Sequence, residues 1–325
     1  MASAINRIGV LTSGGDAPGM NAAIRAVARA SAVAGVQCLG IRRGYNGLIN
    51  GDVTELTPDS VGGLTRRGGT MLYTARSPEF MTPEGQKKAV STCRYLGLDG
   101  IVAIGGDGTF RGALDLSAHG VAVVGVPGTI DNDIACTHYS IGFDTACNTA
   151  IDCIDKLSDT MQSHERCSVV EVMGRRAGHL ALYVGIAVGA TAVLVPEREV
   201  DFERDVVEKI RRSRIQGRNH FIIIVAEGCI RATDVGRRIQ EEIGLDPRVT
   251  ILGHIQRGGR PTARDRVTAS RMGVFAVETL AAGRTNRVVC IVNGEMRDFD
   301  INEALSMHKD LQDSMYNTAV TLTTG

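Results

Sequence analysis

The stretch Gly100–Thr109, GIVAIGGDGT, decides the fold that is expected for this chain. Its first half is an unbroken apolar run, which is typical of a strand buried on both faces of a parallel sheet. Its second half is a glycine-rich turn around Asp107. Glycines at such a turn let the backbone approach a phosphate closely, and the aspartate offers the hard oxygen ligand that Mg²⁺ prefers. A plain turn whose aspartate caps the next helix would give the same pattern in isolation.

The same alternation of short apolar runs and longer helical patterns continues along the chain. Seven further strands are predicted, at Ile8–Leu11, Ala122–Val126, Ser168–Met173, Ala192–Val195, Phe221–Ala226, Thr250–Leu252 and Val288–Val292. Helices are predicted at Pro18–Gly35, Glu84–Leu96, Thr145–Met161, Glu203–Arg214 and Ala263–Ala282. This rhythm favours an α/β fold of parallel sheets with helices on both faces.

Polar or glycine clusters follow four of these other strands. The clusters are Ser13–Asp16, Pro127–Asp133, Met173–Arg175 and Glu227–Gly228. In parallel α/β folds ligands bind beyond the carboxyl ends of the strands, so the clusters are candidate site loops. The first cluster puts two glycines before a helix N-terminus, where bare amides favour anions, although it matches neither a Walker A loop nor a full G-x-G-x-x-G fingerprint.

Two carboxylates stand two residues apart in Thr129–Asp133, TIDND. In an extended segment both would point to the same side, and close like charges raise the proton affinity of one of them. Such a pair suits base catalysis or metal binding, and an Asx-rich turn is the alternative.

Composition excludes several other classes of protein. With 43% hydrophobic and 22% charged residues, the 325-residue chain can bury a substantial core, and its formal net charge of +0 leaves no basic footprint for nucleic acid. The eight scattered cysteines form no Cys-x-x-Cys pair and are expected to be free thiols. The uncharged stretch Leu180–Pro196 is short for a membrane span, and a buried helix followed by a buried strand explains it better. The N-terminus lacks a signal-peptide layout, so no membrane association and a cytoplasmic location are expected.

Seven motifs together resemble the phosphofructokinase family. In chain order they are TSGGDAPGMNAAIR, RGGTMLYTAR, IGGDGT, PGTIDND, VEVMGR, AEG and LGHIQRGG. Each is modest alone, but their order and spacing match the family from Ile8 to about Asn302.

The resemblance implies two α/β domains with the active site in the cleft between them. The larger, ATP-binding domain would comprise residues 1–141 and 255–304, and the smaller, sugar-phosphate-binding domain residues 142–254 and 305–325. It further implies a glycolytic, allosteric homotetramer that transfers phosphate from ATP, with Mg²⁺, to the 1-hydroxyl of D-fructose 6-phosphate.

Site residues carry over by matching each motif to the family. The ATP site would contain Gly15, Tyr45, Arg76, Ser77, Gly106, Asp107, Gly108 and Thr109, with Asp107 reaching the metal. Asp131 would be the base that takes the proton of the sugar hydroxyl, supported by Thr129 and Asp133, and Arg175 would stand beside the transferred phosphoryl group. Further substrate contacts are implied for Ile130, Met173, Gly174, Glu227, Arg166, Arg248, His254 and Arg257. The last four would bind the 6-phosphate, with Arg166 and Arg248 supplied by the neighbouring subunit.

A second anion site between subunits, which binds ADP or phosphoenolpyruvate in relatives, is only partly present. Arg25, Arg29 and Arg218 match its basic residues. Other matched positions have lost their charge, namely Pro58, Ser158, Thr191 and Gln216. The resemblance therefore predicts weak or absent control by those two effectors.

Three alternative functions stay open at this point. Pyrophosphate-dependent relatives carry Asp where Gly108 stands and Lys where Gly128 stands, and an acid at 108 would repel the α-phosphate of ATP. Kinases of NAD or lipid share the GGDGT motif but lack LGHIQRGG and VEVMGR. A non-catalytic regulatory homologue would be expected to have lost the base or the metal ligand, whereas Asp107, Asp131 and Arg175 are all present.

Overall fold

A computed structural model describes residues 5–324 of the chain. Its strands are β1 Arg7–Thr12, β2 Gln37–Ile41, β3 Val53–Glu55, β4 Gly100–Gly105, β5 Val123–Pro127, β6 Cys167–Val172, β7 Ala192–Leu194, β8 Phe221–Ala226, β9 Arg248–Ile251, β10 Arg287–Val292 and β11 Glu295–Asp300. All eight predicted strands are confirmed within one or two residues, and β2, β3 and β11 are additional.

The helices alternate with these strands as expected. They are α1 Met20–Val33, α2 Tyr45–Asn50, α3 Pro83–Tyr95, α4 Asp107–Ala118, α5 Phe143–Ser163, α6 His179–Ala187, α7 Glu208–Ile215, α8 Ala232–Ile243, α9 Ala263–Ala281, α10 Ile301–Ser306 and α11 Asp313–Thr324. The helix predicted from Glu203 begins with a π-helical turn at Glu203–Val207. The stretch from Leu180 is α6 followed by β7, as predicted, and no helix within residues 5–324 is long and apolar enough to cross a membrane.

Contacts divide the chain into two compact units. Unit 1 comprises residues 1–129, 134–144 and 257–309, and unit 2 comprises residues 130–133, 145–256 and 310–325. The sequence-based boundaries were 141/142, 254/255 and 304/305, so these junctions differ by two to five residues. Residues 130–133, which were predicted to belong to the larger domain, are part of unit 2. The functional labels attached to the two domains stay a prediction.

Unit 1 is built on a seven-stranded sheet in the order β11-β10-β5-β4-β1-β2-β3. Its inner strands are parallel, as predicted, but both edge strands are antiparallel. The β10–β11 hairpin turns at Asn293 and Gly294, both with positive φ, which is the two-residue turn that closes right-twisted hairpins. The charged sequence of β11, EMRDFD, contains no apolar run, so its pattern concealed the strand.

Unit 2 is built on a four-stranded parallel sheet in the order β7-β8-β6-β9. Strands β6 and β8 are buried along almost their whole length, and the core around them includes Phe202, Phe221 and Ile239. The edge strand β9 is instead largely exposed. All eight cysteines are free thiols, as predicted.

Candidate functional site

Three adjacent strands of unit 1 end in the predicted site loops. Strands β5, β4 and β1 are parallel neighbours, with Gly105 paired to Pro127 and Thr12 paired to Ile104. Beyond the strands, the amide of Ser13 donates to the carbonyl of Ile104 at 3.1 Å. The amide of Gly128 likewise donates to the carbonyl of Gly105 at 2.9 Å. The loops that follow Thr12, Gly105 and Pro127 therefore lie side by side at the carboxyl ends of these central strands.

The three glycines of the GGDGT loop differ in how much space surrounds them. A Cβ at Gly105 would lie 2.2 Å from Oγ1 of Thr109 and 2.5 Å from the carbonyl oxygen of Ser13, so packing alone requires glycine there. A Cβ at Gly106 would come no closer than 4.0 Å to Thr129, and one at Gly108 would meet nothing within 4 Å. Open space at positions 106 and 108 is what a ligand approaching the start of α4 needs.

Asp107 is the first residue of α4 and is partly exposed. Within residues 5–324 no group of three or more His, Cys, Asp or Glu side chains is placed to hold a metal ion. Mg²⁺ usually takes one or two carboxylates and completes its shell with water and phosphate oxygens, so a single accessible aspartate beside an open glycine backbone fits this ion.

Thr109 and Tyr45 hold the loop in place through their hydroxyl groups. Oγ1 of the buried Thr109 donates to the carbonyl of Ser13 at 3.0 Å. Tyr45 is only 4% exposed, and its hydroxyl donates to the carbonyl of Thr109 at 2.6 Å. Its ring stacks on Phe80 with centroids 4.3 Å apart. Burial of its hydroxyl raises the pKa of Tyr45, so the group stays protonated and donates. Both side chains are thus engaged in supporting α4.

The RGGTMLYTAR segment is linked by three side chains to β1, to α1 and to the loop between them. Asn21 donates to the carbonyls of Arg67 and Gly68, and it accepts from the amide of Met71 at 2.7 Å. Thr12 Oγ1 donates to the carbonyl of Tyr73 at 2.9 Å. Thr74 Oγ1 donates to the carbonyl of Gly14 at 2.6 Å. These bonds bring the first two motifs together.

The segment ends at the predicted ATP residues Arg76 and Ser77. The hydroxyl of Ser77 donates to Oδ1 of Asn46, which lies in α2. Arg76 is exposed. Its guanidinium makes no ion pair with an Asp or Glu in the part of the chain that the structure describes. An exposed arginine without an acidic partner remains available to an anionic ligand.

Gly15 and Arg257 are in direct contact, which the sequence did not predict. Nη1 of Arg257 donates to the carbonyl of Asp16 at 3.1 Å. A Cβ at Gly15 would lie 2.4 Å from the same nitrogen, so glycine is needed for the arginine to pack there. The structure thus joins a predicted ATP residue to a predicted 6-phosphate residue, although 242 positions separate them.

The TIDND segment is largely buried. Ile130 and Asp131 are 0% and 3% exposed, whereas Thr129 and Asp133 are partly exposed. Asn132 has a φ of 52°, a left-handed conformation that asparagine tolerates better than most residues. This turn sets the direction of the chain directly after the predicted base.

In unit 2 the residues of VEVMGR and AEG meet at the carboxyl ends of β6 and β8. Oε1 of Glu227 accepts from the amide of Arg175 at 2.7 Å and from the amide of Gly174 at 3.3 Å. Arg175 has a φ of 59° and Gly174 a φ of 143°. A non-glycine residue in the left-handed region is uncommon, and such strain is concentrated at functional sites. Glu227 therefore orients the loop that presents Met173 and Arg175.

Arg166 and Arg248 lie at the opposite end of the same sheet. Arg248 is the first residue of β9 and pairs with Ser168, and Arg166 directly precedes β6. Strand β6 has six residues and therefore spans roughly 20 Å. These two arginines consequently do not join Arg175 and Glu227 of the same chain. Nη2 of Arg248 is instead 3.2 Å from Oδ2 of Asp246. His254 is exposed, in the 3₁₀ turn after β9.

The predicted effector residues do not lie in the site loops described above. Arg25 and Arg29 lie on α1 and line a cavity of about 450 Å³ with residues of α9. Nε of Arg25 is buried and has no hydrogen-bond partner among the described residues. Arg218 is exposed in unit 2, after α7.

Comparison with known proteins identifies the family. Residues 7–280 match the family model described as phosphofructokinase, so this chain belongs to that family. An "ATP-dependent 6-phosphofructokinase" of Clostridium botulinum (strain Loch Maree / Type A3) is 51% identical over 315 residues, which is 97% of this chain and 98% of the relative. The enzyme of the same name from Bacillus subtilis (strain 168) is 52% identical over 312 residues, 96% of this chain and 98% of the relative.

Solved structures agree on the fold. A phosphofructokinase from Saccharomyces cerevisiae superposes with a TM-score of 0.88 at 35% identity, and the match covers 98% of this chain but only 48% of the longer yeast chain. A pyrophosphate-dependent phosphofructokinase from Marinobacter aquaeolei gives a TM-score of 0.86 at 19% identity and covers 99% of this chain and 92% of the other. This second likeness shows the shared fold alone.

Proposed function

We propose that this chain transfers the γ-phosphoryl group of ATP to the 1-hydroxyl of D-fructose 6-phosphate, giving fructose 1,6-bisphosphate and ADP, a step of glycolysis. Support comes from the relatives named ATP-dependent 6-phosphofructokinase, which match this chain over almost its whole length. The structural observation that carries the proposal is the convergence of three loops, after β1, β4 and β5, around open glycine backbone next to Asp107.

Asp131 acts as the general base in this mechanism. Its carboxylate takes the proton of the sugar 1-hydroxyl while that oxygen forms a bond to the γ-phosphorus. The bond between the γ-phosphorus and the β–γ bridging oxygen breaks, and ADP leaves with the bonding electron pair. Phosphoryl transfer needs positioning and charge neutralisation more than covalent help from the protein. Arg76 and Arg175 supply positive charge that stabilises the negative charge on the transferred phosphoryl group.

Asp107 would hold Mg²⁺ together with phosphate oxygens of ATP. The ion, when bound, would neutralise part of the negative charge of the phosphate groups. Asp107 fits because it is an accessible carboxylate at the start of α4, flanked by two positions where a Cβ would have space.

The donor is ATP, and Gly108 and Gly128 support this choice. The space at Gly108 accommodates the α-phosphate, which a carboxylate at that position would repel. Around Gly128, a Cβ would come within 3.2 Å of Ile104 and Met20, so a larger side chain would have to displace its neighbours.

Active sites are shared between subunits of a homotetramer in this proposal. Arg166 and Arg248 lie too far along the sheet to reach the sugar-binding residues of their own chain, so their 6-phosphate role requires a neighbouring copy. The edge strand β9 exposes Val249 and Ile251, at 37% and 57%, in a row that is open to a partner. Arg175, Glu227 and Met173 would bind the sugar, and His254 and Arg257 would complete the phosphate site.

Regulation by ADP or phosphoenolpyruvate is weak in this proposal. Arg25 and Arg29 are available at the α1–α9 cavity, but four of the matched positions that carry charge in relatives are Pro58, Ser158, Thr191 and Gln216. The hydroxyl of Thr191 accepts from the amide of Ile222 at 3.3 Å, where relatives have an acidic metal ligand. A cytoplasmic location stays a prediction.

The position of phosphorylation tests the proposed reaction. Purified protein is incubated with ATP, Mg²⁺ and fructose 6-phosphate, and the product is passed to aldolase, which cleaves fructose 1,6-bisphosphate. We expect one triose phosphate pair for each ADP formed. ADP release without an aldolase-cleavable product would place the phosphate elsewhere or on water, and would contradict the proposal.

A further inference from the structure

A buried carboxylate at the start of α9 lies at the centre of a hydrogen-bond network. Asp265 is 0% exposed and is the third residue of α9. Its amide donates to Oγ1 of Thr262, the N-cap of the helix, at 3.3 Å. Its Oδ1 accepts from the hydroxyl of Tyr139 at 2.7 Å and from the amide of Gly142 at 2.8 Å. A fully buried carboxylate is costly unless it is well hydrogen-bonded, and the helix N-terminus stabilises it further.

Tyr139 fixes the segment that follows it to this carboxylate. Its side chain is 4% exposed, and its hydroxyl also accepts from the amide of Asp144, in the first turn of α5, at 3.0 Å. The guanidinium carbon of Arg264 lies 4.3 Å from the ring centroid. Burial and the carboxylate of Asp265 raise the pKa of Tyr139, so its hydroxyl keeps its proton and donates.

The segment contacts the TIDND loop on its other side. The amide of Ile141 donates to the carbonyl of Pro127 at 3.0 Å, and Ile141 forms a parallel bridge with Gly128. Oγ of Ser140 donates to the carbonyl of Thr129 at 2.8 Å. That carbonyl is two residues before Asp131 in the chain. The hydrogen bonds of Tyr139 to Asp265 and of Ser140 to Thr129, which flank one peptide bond, therefore connect α9 to the TIDND loop.

Gly142 adds a contact to the β1–α1 loop. Its φ is 107°, and a Cβ there would lie 2.7 Å from the Cβ of Ala17. A Cβ at Gly19 would likewise lie 2.6 Å from Cγ2 of Ile141. Residues 139–142 are thus held between Asp265, the loop after β5 and the loop after β1.

We propose that Tyr139 and Ser140 are positioning residues that hold the Thr129–Asp133 loop in its reactive geometry, with Asp265 as their anchor. The inference rests on the proposed function, because it assigns Asp131 as the base. A displacement of about 1 Å at a reacting group can cost on the order of 10²-fold in rate. Loss of the anchor should therefore lower kcat much more than it raises KM, because most of the residues assigned to fructose 6-phosphate binding lie outside this loop.

The test compares Ser140→Ala and Tyr139→Phe with Ser31→Ala. Ser31 is a matched control because it is also 0% exposed and its hydroxyl also donates to a carbonyl, that of Val27, at 2.8 Å. Unfolding by urea gives the stability of each protein, and kinetics are measured where all are folded. We expect both loop variants to lose about 10-fold or more in kcat, with KM for ATP and fructose 6-phosphate within about twofold. Ser31→Ala should keep kcat, because its hydroxyl donates within α1.

Three outcomes separate this proposal from a structural role and from the proposed function itself. Wild-type kcat in both folded loop variants would overturn the positioning role while the reaction stands. Equal kcat losses in Ser140→Ala and Ser31→Ala, in proportion to lost stability, would also overturn it. Should Tyr139→Phe fail to fold, Ser140→Ala decides alone. An inactive wild-type protein would instead overturn the proposed function.

Discussion

Gly108→Asp tests the choice of phosphate donor, because it would place a carboxylate near the α-phosphate of ATP. Position 108 is exposed at the second residue of α4, and a Cβ there meets nothing within 4 Å. An acid in the first turn of a helix is stabilising by about 0.3–1 kcal/mol, and replacing a helical glycine adds a similar gain. The variant should therefore unfold no earlier than the wild type, and any loss of activity has to come from the ligand.

The expected size of that loss follows from Coulomb's law. A carboxylate about 5 Å from an α-phosphate charge, at an effective dielectric constant of about 20, costs roughly 3 kcal/mol. At 1.4 kcal/mol per factor of ten, this amounts to about a 10²-fold increase in KM for ATP. The site is open to solvent, so the increase should shrink as salt is added.

The assay measures KM for ATP at fixed, saturating fructose 6-phosphate in wild type, Gly108→Asp and the matched Gly108→Asn. Asparagine has nearly the same shape without the charge, so its KM should rise less than about tenfold. Equal KM values for the Asp and Asn variants would refute the electrostatic explanation. An Asp variant within about threefold of wild type would show that no phosphate lies near position 108.

Three further predictions concern the base, the subunit interface and regulation. Asp131→Asn should fold normally and lower kcat by roughly 10²–10⁴, and a coupled assay showing near-wild-type turnover would remove Asp131 as the base. An Asp131→Asn chain mixed with an Arg248→Ala chain should regain part of the lost activity in mixed tetramers, whereas no recovery would place each site within one chain. Millimolar phosphoenolpyruvate or ADP should shift half-saturation by fructose 6-phosphate less than about twofold, since each missing charge-assisted contact removes about 1.5–3 kcal/mol; a large shift, with ADP competition controlled, would contradict this.

The fold was predictable where strands are buried on both faces. The runs that became β4, β5, β6 and β8 are continuous and apolar, and buried parallel strands require such a sequence. The edge strands β3 and β11 of the seven-stranded sheet were missed because one side of their ladder is unpaired and their composition is decided by solvent, and the inner strand β2 was missed as well. β11, with three acids and an arginine in six residues, is the clearest case.

The site was predictable as a set of loops, since every motif except RGGTMLYTAR lies at the end of a strand. The partners of each side chain were not predictable. Tyr45 and Thr109 were assigned to ATP, whereas their hydroxyl groups are engaged in supporting α4. The contact of Gly15 with Arg257 depends on how distant segments pack. Asp265 gave one local signal, since Thr262 three residues earlier suits a helix N-cap. Nothing in that signal predicted its bond to Tyr139.

The most direct test of the central claim is a comparison of phosphate donors on one preparation of the wild-type protein. Fructose 1,6-bisphosphate formation is followed with ATP and, separately, with pyrophosphate, each with Mg²⁺ and saturating fructose 6-phosphate. We predict that kcat/KM with ATP exceeds that with pyrophosphate, because the open space at position 108 accommodates the α-phosphate of ATP. Faster turnover with pyrophosphate, or no product with either donor, would contradict the account.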